Sequence, residues 1–226
     1  YPRYHGESPY LETLVFQFYP TPRAAFEAYE NGGVEGVSQI TLDLLPEAFS
    51  ASDLRLYSAS SAEMSMLYLN GFMTETLPFG DRRVRQALYH GLNRQALVDQ
   101  VLMGQAVLPQ TPLLPGTWAY STDEVPVYDY DPSVALSLLA EAGWQRPSTA
   151  DMMQNDAGQP LAFSLIASSE RRDLAMAEAV AAQWGRLGIS VTVDAVPPSA
   201  LTGVLDSRSY QAALARLVIP GDPDPY

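Results

Sequence analysis

From Leu161 onward the apolar residues change period from segment to segment, and this alternation restricts the fold more than any other feature. Leu161 to Ala167 is a β-prone run, and Arg172 to Leu187 then places Leu174, Ala177, Ala181, Trp184 and Leu187 on one helical face. Gly188 ends that helix, and Ile189 to Val196 (I-S-V-T-V-D-A-V) alternates as a half-buried strand. Pro197-Pro198 leads into a short helix through Asp206, and Tyr210 to Val218 is a last strand. A β-α-β-α-β order implies an α/β lobe, with helices packed on a mixed sheet.

Upstream, the strongest local signals are helix boundaries. Asp131-Pro132 opens a helix with an acceptor side chain at the N-cap and proline at the first helical position. Ala135, Leu138, Leu139 and Ala142 form its buried stripe, Gly143 supplies a left-handed residue past its end, and Trp144 folds back on its last turn. Asp81 caps a helix carrying Val84, Ala87, Leu88, Gly91 and Leu92, and Asn93 caps another from Arg94 to Met103, ended by Gly104. Arg82 and Arg83 oppose the dipole of the first of these helices, so either Asp81 and other carboxylates offset them or they face a partner lobe. Earlier still, residues 11–19 (L-E-T-L-V-F-Q-F-Y), 37–42, 54–58 and 64–70 read as strands, and residues 24–30 as a short helix ended by Asn31-Gly32-Gly33. Gln105 to Pro126 is a proline-rich connection without periodicity, a length at which loops are often functional.

Composition narrows the function. With 26 acidic against 13 basic residues, the net charge of −13 argues against nucleic acid and anionic membrane surfaces, which need clustered cations. Zero cysteines exclude disulfides and thiolate metal sites, and no apolar run reaches the ~20 residues that cross a bilayer. No nucleophile elbow, zinc-protease, phosphate-loop or dinucleotide pattern is present. His90 lies inside a helix, and Asp222 and Asp224 in G-D-P-D-P read as turn formers without the ligand spacing of a calcium loop. No catalytic residue, metal ligand or cofactor is expected.

Binding residues are easier to nominate. Trp118 and Tyr120 stand in the long loop, where they either anchor it or line a cleft. Arg171 and Arg172 precede a helix N-terminus, an arrangement that either holds an anion or is a solvated helix start. Arg216 interrupts the apolar final strand A-A-L-A-R-L-V-I, so it either faces solvent or reaches into a polar cleft.

Several ordered segments together carry a resemblance to one family. Residues 78–101 (P-F-G-D-R-R-V-R-Q-A-L-Y-H-G-L-N-R-Q-A-L-V-D-Q-V) and 128–144 (Y-D-Y-D-P-S-V-A-L-S-L-L-A-E-A-G-W) are its most specific pieces. Y-H-G-E-S-P-Y-L-E near the start and L-G-I-S-V-T-V late in the chain add to them. The chain resembles the extracytoplasmic solute-binding proteins of bacterial ABC importers, the family that captures peptides, nickel chelates and related solutes. It departs from the family at Asn93, where an aspartate is usual; both residues cap helices.

The resemblance implies a type II periplasmic binding protein-like lobe, one of two α/β lobes that close on a solute by hinge motion. Residues 1–226 would be most of the second, C-terminal lobe, cut from a longer protein that is periplasmic or extracytoplasmic as a membrane-anchored lipoprotein. Its partners would be a small solute, a peptide or other, and ABC permease subunits in the membrane. Neither nucleic acid nor direct membrane insertion is implied. Candidate ligand residues are Trp118, Tyr120, Arg171, Arg172, Arg216 and Asp222. Aligning G-D-P-D with the family's pattern puts Arg216 where peptide-binding members carry Trp. It puts Ile219 where they carry the Asp that accepts a ligand ammonium, and Ile cannot pair with that charge. Capture of peptides through a free N-terminus is then disfavoured unless Asp222 takes the acid's place. Two other readings stand beside import: a sensory ectodomain on the same fold, and a carboxylate-based hydrolase.

Overall fold

The computed structural model describes residues 10–59, 61–72, 77–111, 113, 118, 120–123, 125–148 and 152–218. The chain divides into two compact units, Tyr1–Ala59 and Ser60–Tyr226, a boundary that no composition shift in the sequence marks.

In the first unit, α1 (Pro22–Glu30) starts two residues before the expected helix because Thr21 caps it, accepting the Ala24 amide, and Pro22 fits the first turn. Gly32, at φ 72°, turns the chain out of it. A 3₁₀ turn at Leu42–Leu44 runs into α2 (Leu45–Ser50). Phe26, Leu44 and Ala48 form the buried cluster, with Ile40, Leu54 and Leu56 against it. None of the segments 11–19, 37–42 and 54–58 joins a sheet among the described residues. β-prone composition alone does not make a strand: no described strand pairs with them, and Leu42 already belongs to the 3₁₀ turn.

The second unit carries a four-stranded mixed sheet in the order β1-β4-β2-β3, from β1 (Glu63–Leu69), β2 (Ala162–Ser168), β3 (Ser190–Val196) and β4 (Ala212–Val218). β2 is parallel to both β3 and β4, while β1 runs antiparallel to β4 with Ser65 opposite Arg216. The α/β architecture expected for the last third is therefore present. α6 (Arg171–Arg186) crosses between β2 and β3, and α7 (Pro198–Asp206) between β3 and β4. Trp184 of α6 is 2% exposed, packs edge-on against Phe163 of β2, and donates its indole N–H to the Leu88 carbonyl at 2.8 Å. That bond ties α6 to α3 (Arg82–His90).

The helix signals place the rest. Asp81 accepts the Arg83 amide, and Arg83 returns an ion pair at 2.6 Å, so the cation at this N-terminus is offset from within the chain. α4 (Arg94–Val101) is capped by Asn93 and ends two residues short of Met103, which is left-handed at φ 50°. α5 (Pro132–Glu141) is capped by Asp131 through the amides of Ser133 and Val134. Its end closes as expected: Gly143 is left-handed at φ 87°, and the Trp144 amide bonds back to the Leu139 carbonyl at 2.9 Å.

Candidate functional site

In an open α/β sheet, ligands bind outside the carboxyl ends of parallel strands, where neighbouring strands send their connections to opposite sides. Here β2 and β4 are parallel neighbours, β2 sends its link through α6 to β3 on its other side, and Arg216 stands near the carboxyl end of β4. Ala212 and Leu214 share its face of β4 and are buried in the main core, so the strand aims the Arg216 side chain along the buried face as it leaves the sheet.

What meets it there is a set of carboxylates. Arg216 Nε lies 2.9 and 3.0 Å from the two oxygens of Asp173, and Nη2 hydrogen-bonds Glu170. Nη1 is 3.8 Å from Glu63, whose position at the start of β1 makes it a diagonal neighbour across the antiparallel pair. Arg172 joins through Glu63 at 3.5 Å and Asp173 at 3.7 Å. Two guanidinium groups thus face three carboxylates, one negative charge in excess. Asp173 is the buried member at 8% side-chain exposure, against 27% for Arg216 and 49% for Glu170. Burial by itself would lower the Arg216 pKa. Its hydrogen bond to Asp173 and the charges of Asp173, Glu170 and Glu63 outweigh that and raise it above the ordinary arginine value.

Local chemistry explains the cluster. Glu170 sits at the N-cap of α6 without capping it, because its carboxylate is turned to Arg216. Its own amide is met by the Ser168 hydroxyl at 3.2 Å. Asp173 falls in the first turn, where a carboxylate is favoured by the helix dipole. Its burial also corrects the expected buried stripe of α6. Asp173, Met176, Ala177, Val180 and Trp184 face inward, while Leu174 and Ala181 are only half-buried. A stripe drawn from apolar residues alone turns the helix by about one position.

The other nominated residues are more dispersed. Arg171 is exposed beside the cluster, Trp118 is 80% exposed, and Tyr120 is half-buried. Asp222 and Ile219 lie outside the described residues. Glu63, Glu170 and Asp173 do not stand out in the sequence; the signal available is the lone Arg216, which demands a counter-charge. Two hollows on the described surface, one lined by Glu30, Glu47 and Ser50 and one by Leu136, Trp144 and Met153, are both open and exclude the cluster. Among the described residues no group of three or more His, Asp or Glu side chains converges as for a metal ion. No helix there is long and apolar enough to cross a membrane.

Comparison with known proteins accounts for the architecture. The model of the bacterial extracellular solute-binding proteins, family 5 Middle, matches residues 1–226. The oligopeptide-binding protein AppA of Bacillus subtilis is 30% identical over 211 residues, 92% of this chain and 38% of that protein. The nickel-binding periplasmic protein of Escherichia coli is 28% identical over 197 residues, 84% of this chain and 36% of that protein. The chain therefore spans little more than a third of these relatives. Among solved structures, AppA from Bacillus subtilis in complex with a nonapeptide aligns with a TM-score of 0.73 at 26% identity, covering 92% of this chain and 41% of that one. NikA from Brucella suis in complex with Fe(III)-EDTA aligns at 0.78 and 25% identity, covering 97% and 44%. With its whole length matched, the chain belongs to the bacterial extracellular solute-binding proteins of family 5, a family of binding proteins and not of enzymes.

Proposed function

We propose that the protein containing these residues binds a small solute outside the cytoplasm and delivers it to the permease of an ABC importer. The observation that carries this reading is the match of all 226 residues to the family, with relatives named for oligopeptide and nickel binding. The solute contacts this chain at the carboxyl ends of β2 and β4, near Arg171, Arg172 and Arg216, with Trp118 and Tyr120 of the long loop and Asp222 beyond β4 as further contacts. Because Arg216 is already engaged by Asp173 and Glu170, an anionic or hydroxylated solute group reaches it by sharing or displacing Glu63 or Glu170. Both of those carboxylates are substantially exposed, so exchange there costs less than disturbing Asp173.

The test is to denature the purified full-length protein and identify what it releases by mass spectrometry. A single solute class, rebinding to stripped protein with micromolar or tighter affinity in calorimetry, is the expected result. Failure to bind any candidate solute together with turnover of one would refute the reading. Released short peptides with free N-termini would overturn the argument from Ile219. Arg216→Ala in the full-length protein should weaken affinity for the released solute at least about tenfold, the loss of roughly one charge-assisted hydrogen bond. An unchanged affinity would remove Arg216 from the binding surface.

A further inference from the structure

Glu63 is the loosest member of the ion-pair cluster. Its Oε2 is the nearer oxygen to both arginines, 3.5 Å from Arg172 Nη2 and 3.8 Å from Arg216 Nη1. Charge-assisted hydrogen bonds of this kind close to about 2.7–2.9 Å, so one oxygen is stretched between two donors and seated on neither. The other two carboxylates are held: Asp173 is buried against Arg216 Nε at 2.9 and 3.0 Å, and Glu170 hydrogen-bonds Arg216 Nη2. The backbone explains the poor seat. Glu63 is the first residue of β1 and lies opposite Val218, while Arg216 is paired with Ser65. The Glu63 side chain therefore reaches Arg216 on the diagonal, and a strand fixed in its ladder cannot slide to improve the fit.

Charge decides what else can enter. Two guanidinium groups already face three carboxylates, so a solute anion added beside all three would set four negative charges against two positive. Exchange is the favourable course: one carboxylate leaves as the anion arrives. Glu63 leaves with the smallest loss, because it is 39% exposed, its partners are 34 and 27% exposed, and pairs of that kind are worth little against water. We infer, on the basis of the solute-binding role proposed for this chain, that Glu63 is an internal competitor for the solute. It stands between Arg172 and Arg216 where a solute carboxylate is received, and it sets how tightly that carboxylate is held. A carboxylate free of the strand can turn one oxygen to each guanidinium at ordinary hydrogen-bond distance, which Glu63 does not do.

The experiment is titration of the full-length protein, stripped of bound solute in denaturant and refolded, with sodium acetate at constant ionic strength. Binding is followed by the NMR signals of the arginine Nε–H groups, and acetamide is the uncharged control. Glu63→Gln should tighten acetate binding at least about fivefold, since the two loose ion pairs that acetate must break are gone, while acetamide gives no response in either protein. Glu178→Gln removes an exposed carboxylate of α6 outside the cluster and should change acetate affinity by less than about twofold, which separates competition from a general effect of net charge. Adding Arg172→Gln to Glu63→Gln should abolish the gain. Equal or undetectable acetate binding in wild type and Glu63→Gln, an equal gain in Glu178→Gln, or a gain that survives Arg172→Gln would overturn the inference. If the same wild-type preparation still releases and rebinds a solute, such a result removes the competitor role of Glu63 alone. If it binds neither acetate nor any solute, the solute-binding role falls with it.

Discussion

Replacing Arg216 with methionine keeps most of the aliphatic stem and removes the charge, and its cost falls almost entirely on Asp173. Glu170 and Glu63 have side chains 49 and 39% exposed, so water replaces the guanidinium there and each loses about 0–1 kcal/mol. Asp173 has no such recourse: at 8% exposure it loses contacts of 2.9 and 3.0 Å and keeps only Arg172 Nε at 3.7 Å. Breaking a fully buried pair costs roughly 3–5 kcal/mol. Here Arg216 is 27% exposed and Asp173 keeps the dipole of α6, so the loss should be about 2–3 kcal/mol. For a domain of this size that lowers Tm by about 4–12 °C. Urea unfolding of the full-length protein, followed by far-ultraviolet circular dichroism, measures it. The decisive variant is Arg216→Met with Asp173→Asn, which neutralises the stranded carboxylate and should recover at least about 1 kcal/mol of the loss. A cost of Arg216→Met under about 0.5 kcal/mol, or a double variant equal to the sum of the singles, would refute the reasoning.

Two glycines at helix ends should respond for opposite reasons. At Gly91 the backbone is right-handed, but a Cβ would fall 2.4 Å from Leu187 Cδ1 in the core and 3.1 Å from the Ala87 carbonyl, so Gly91→Ala should cost about 1–3 kcal/mol through overpacking. At Gly143 space is free but φ is 87°, so Gly143→Ala should cost about 1 kcal/mol and Gly143→Asn less, both read from urea midpoints. Trp184→Phe removes a buried hydrogen bond to Leu88 and leaves a cavity, and should cost about 2–3 kcal/mol in the same assay. Asp81 should show a pH signature. The side-chain hydrogen bonds of Arg83 hold the Asp81 carboxyl below its ordinary value; burial opposes them, and the Arg83 amide and the charges of Arg83 and Arg85 add to the lowering. A depressed folded pKa means the stabilisation is complete above the unfolded value of ~3.9 and fades as pH falls through the folded one. The stability gap between wild type and Asp81→Ala should therefore be constant above about pH 5 and narrow below about pH 4.

Legibility in the sequence follows the range of the forces involved. The two ends of α5 are readable because each depends on residues within one turn: Asp131 and Pro132 at the start, Gly143 and Trp144 at the close. β2, β3 and β4 are readable because strand and helix periods alternate without interruption from Leu161 onward. Residues 37–42 and 54–58 read as strands and form none, since pairing needs a neighbour that no local pattern specifies. α2 escapes a sequence reading although Pro46 and Glu47 in its first turn are start signals, because six residues cannot display a helical period.

The candidate site is legible only as a contradiction. An arginine in the run A-A-L-A-R-L-V-I states that something near the end of β4 is charged, and nothing in that run says what. The answer lies 43 and 46 residues away, in Asp173 and Glu170, and in Glu63 across the antiparallel pair. Asp173 carries the argument furthest. A carboxylate on the inward face of α6 would be a fault in the core if β4 did not deliver a guanidinium to it, and Arg216 would be one if α6 did not deliver the carboxylate. The two positions are coupled: each is tolerable only with the other, which makes the helix register and the strand register at this end of the sheet a single choice. An arrangement of that kind holds Asp173 fixed while Glu63 and Glu170, both substantially exposed, can exchange their ion pairs for water.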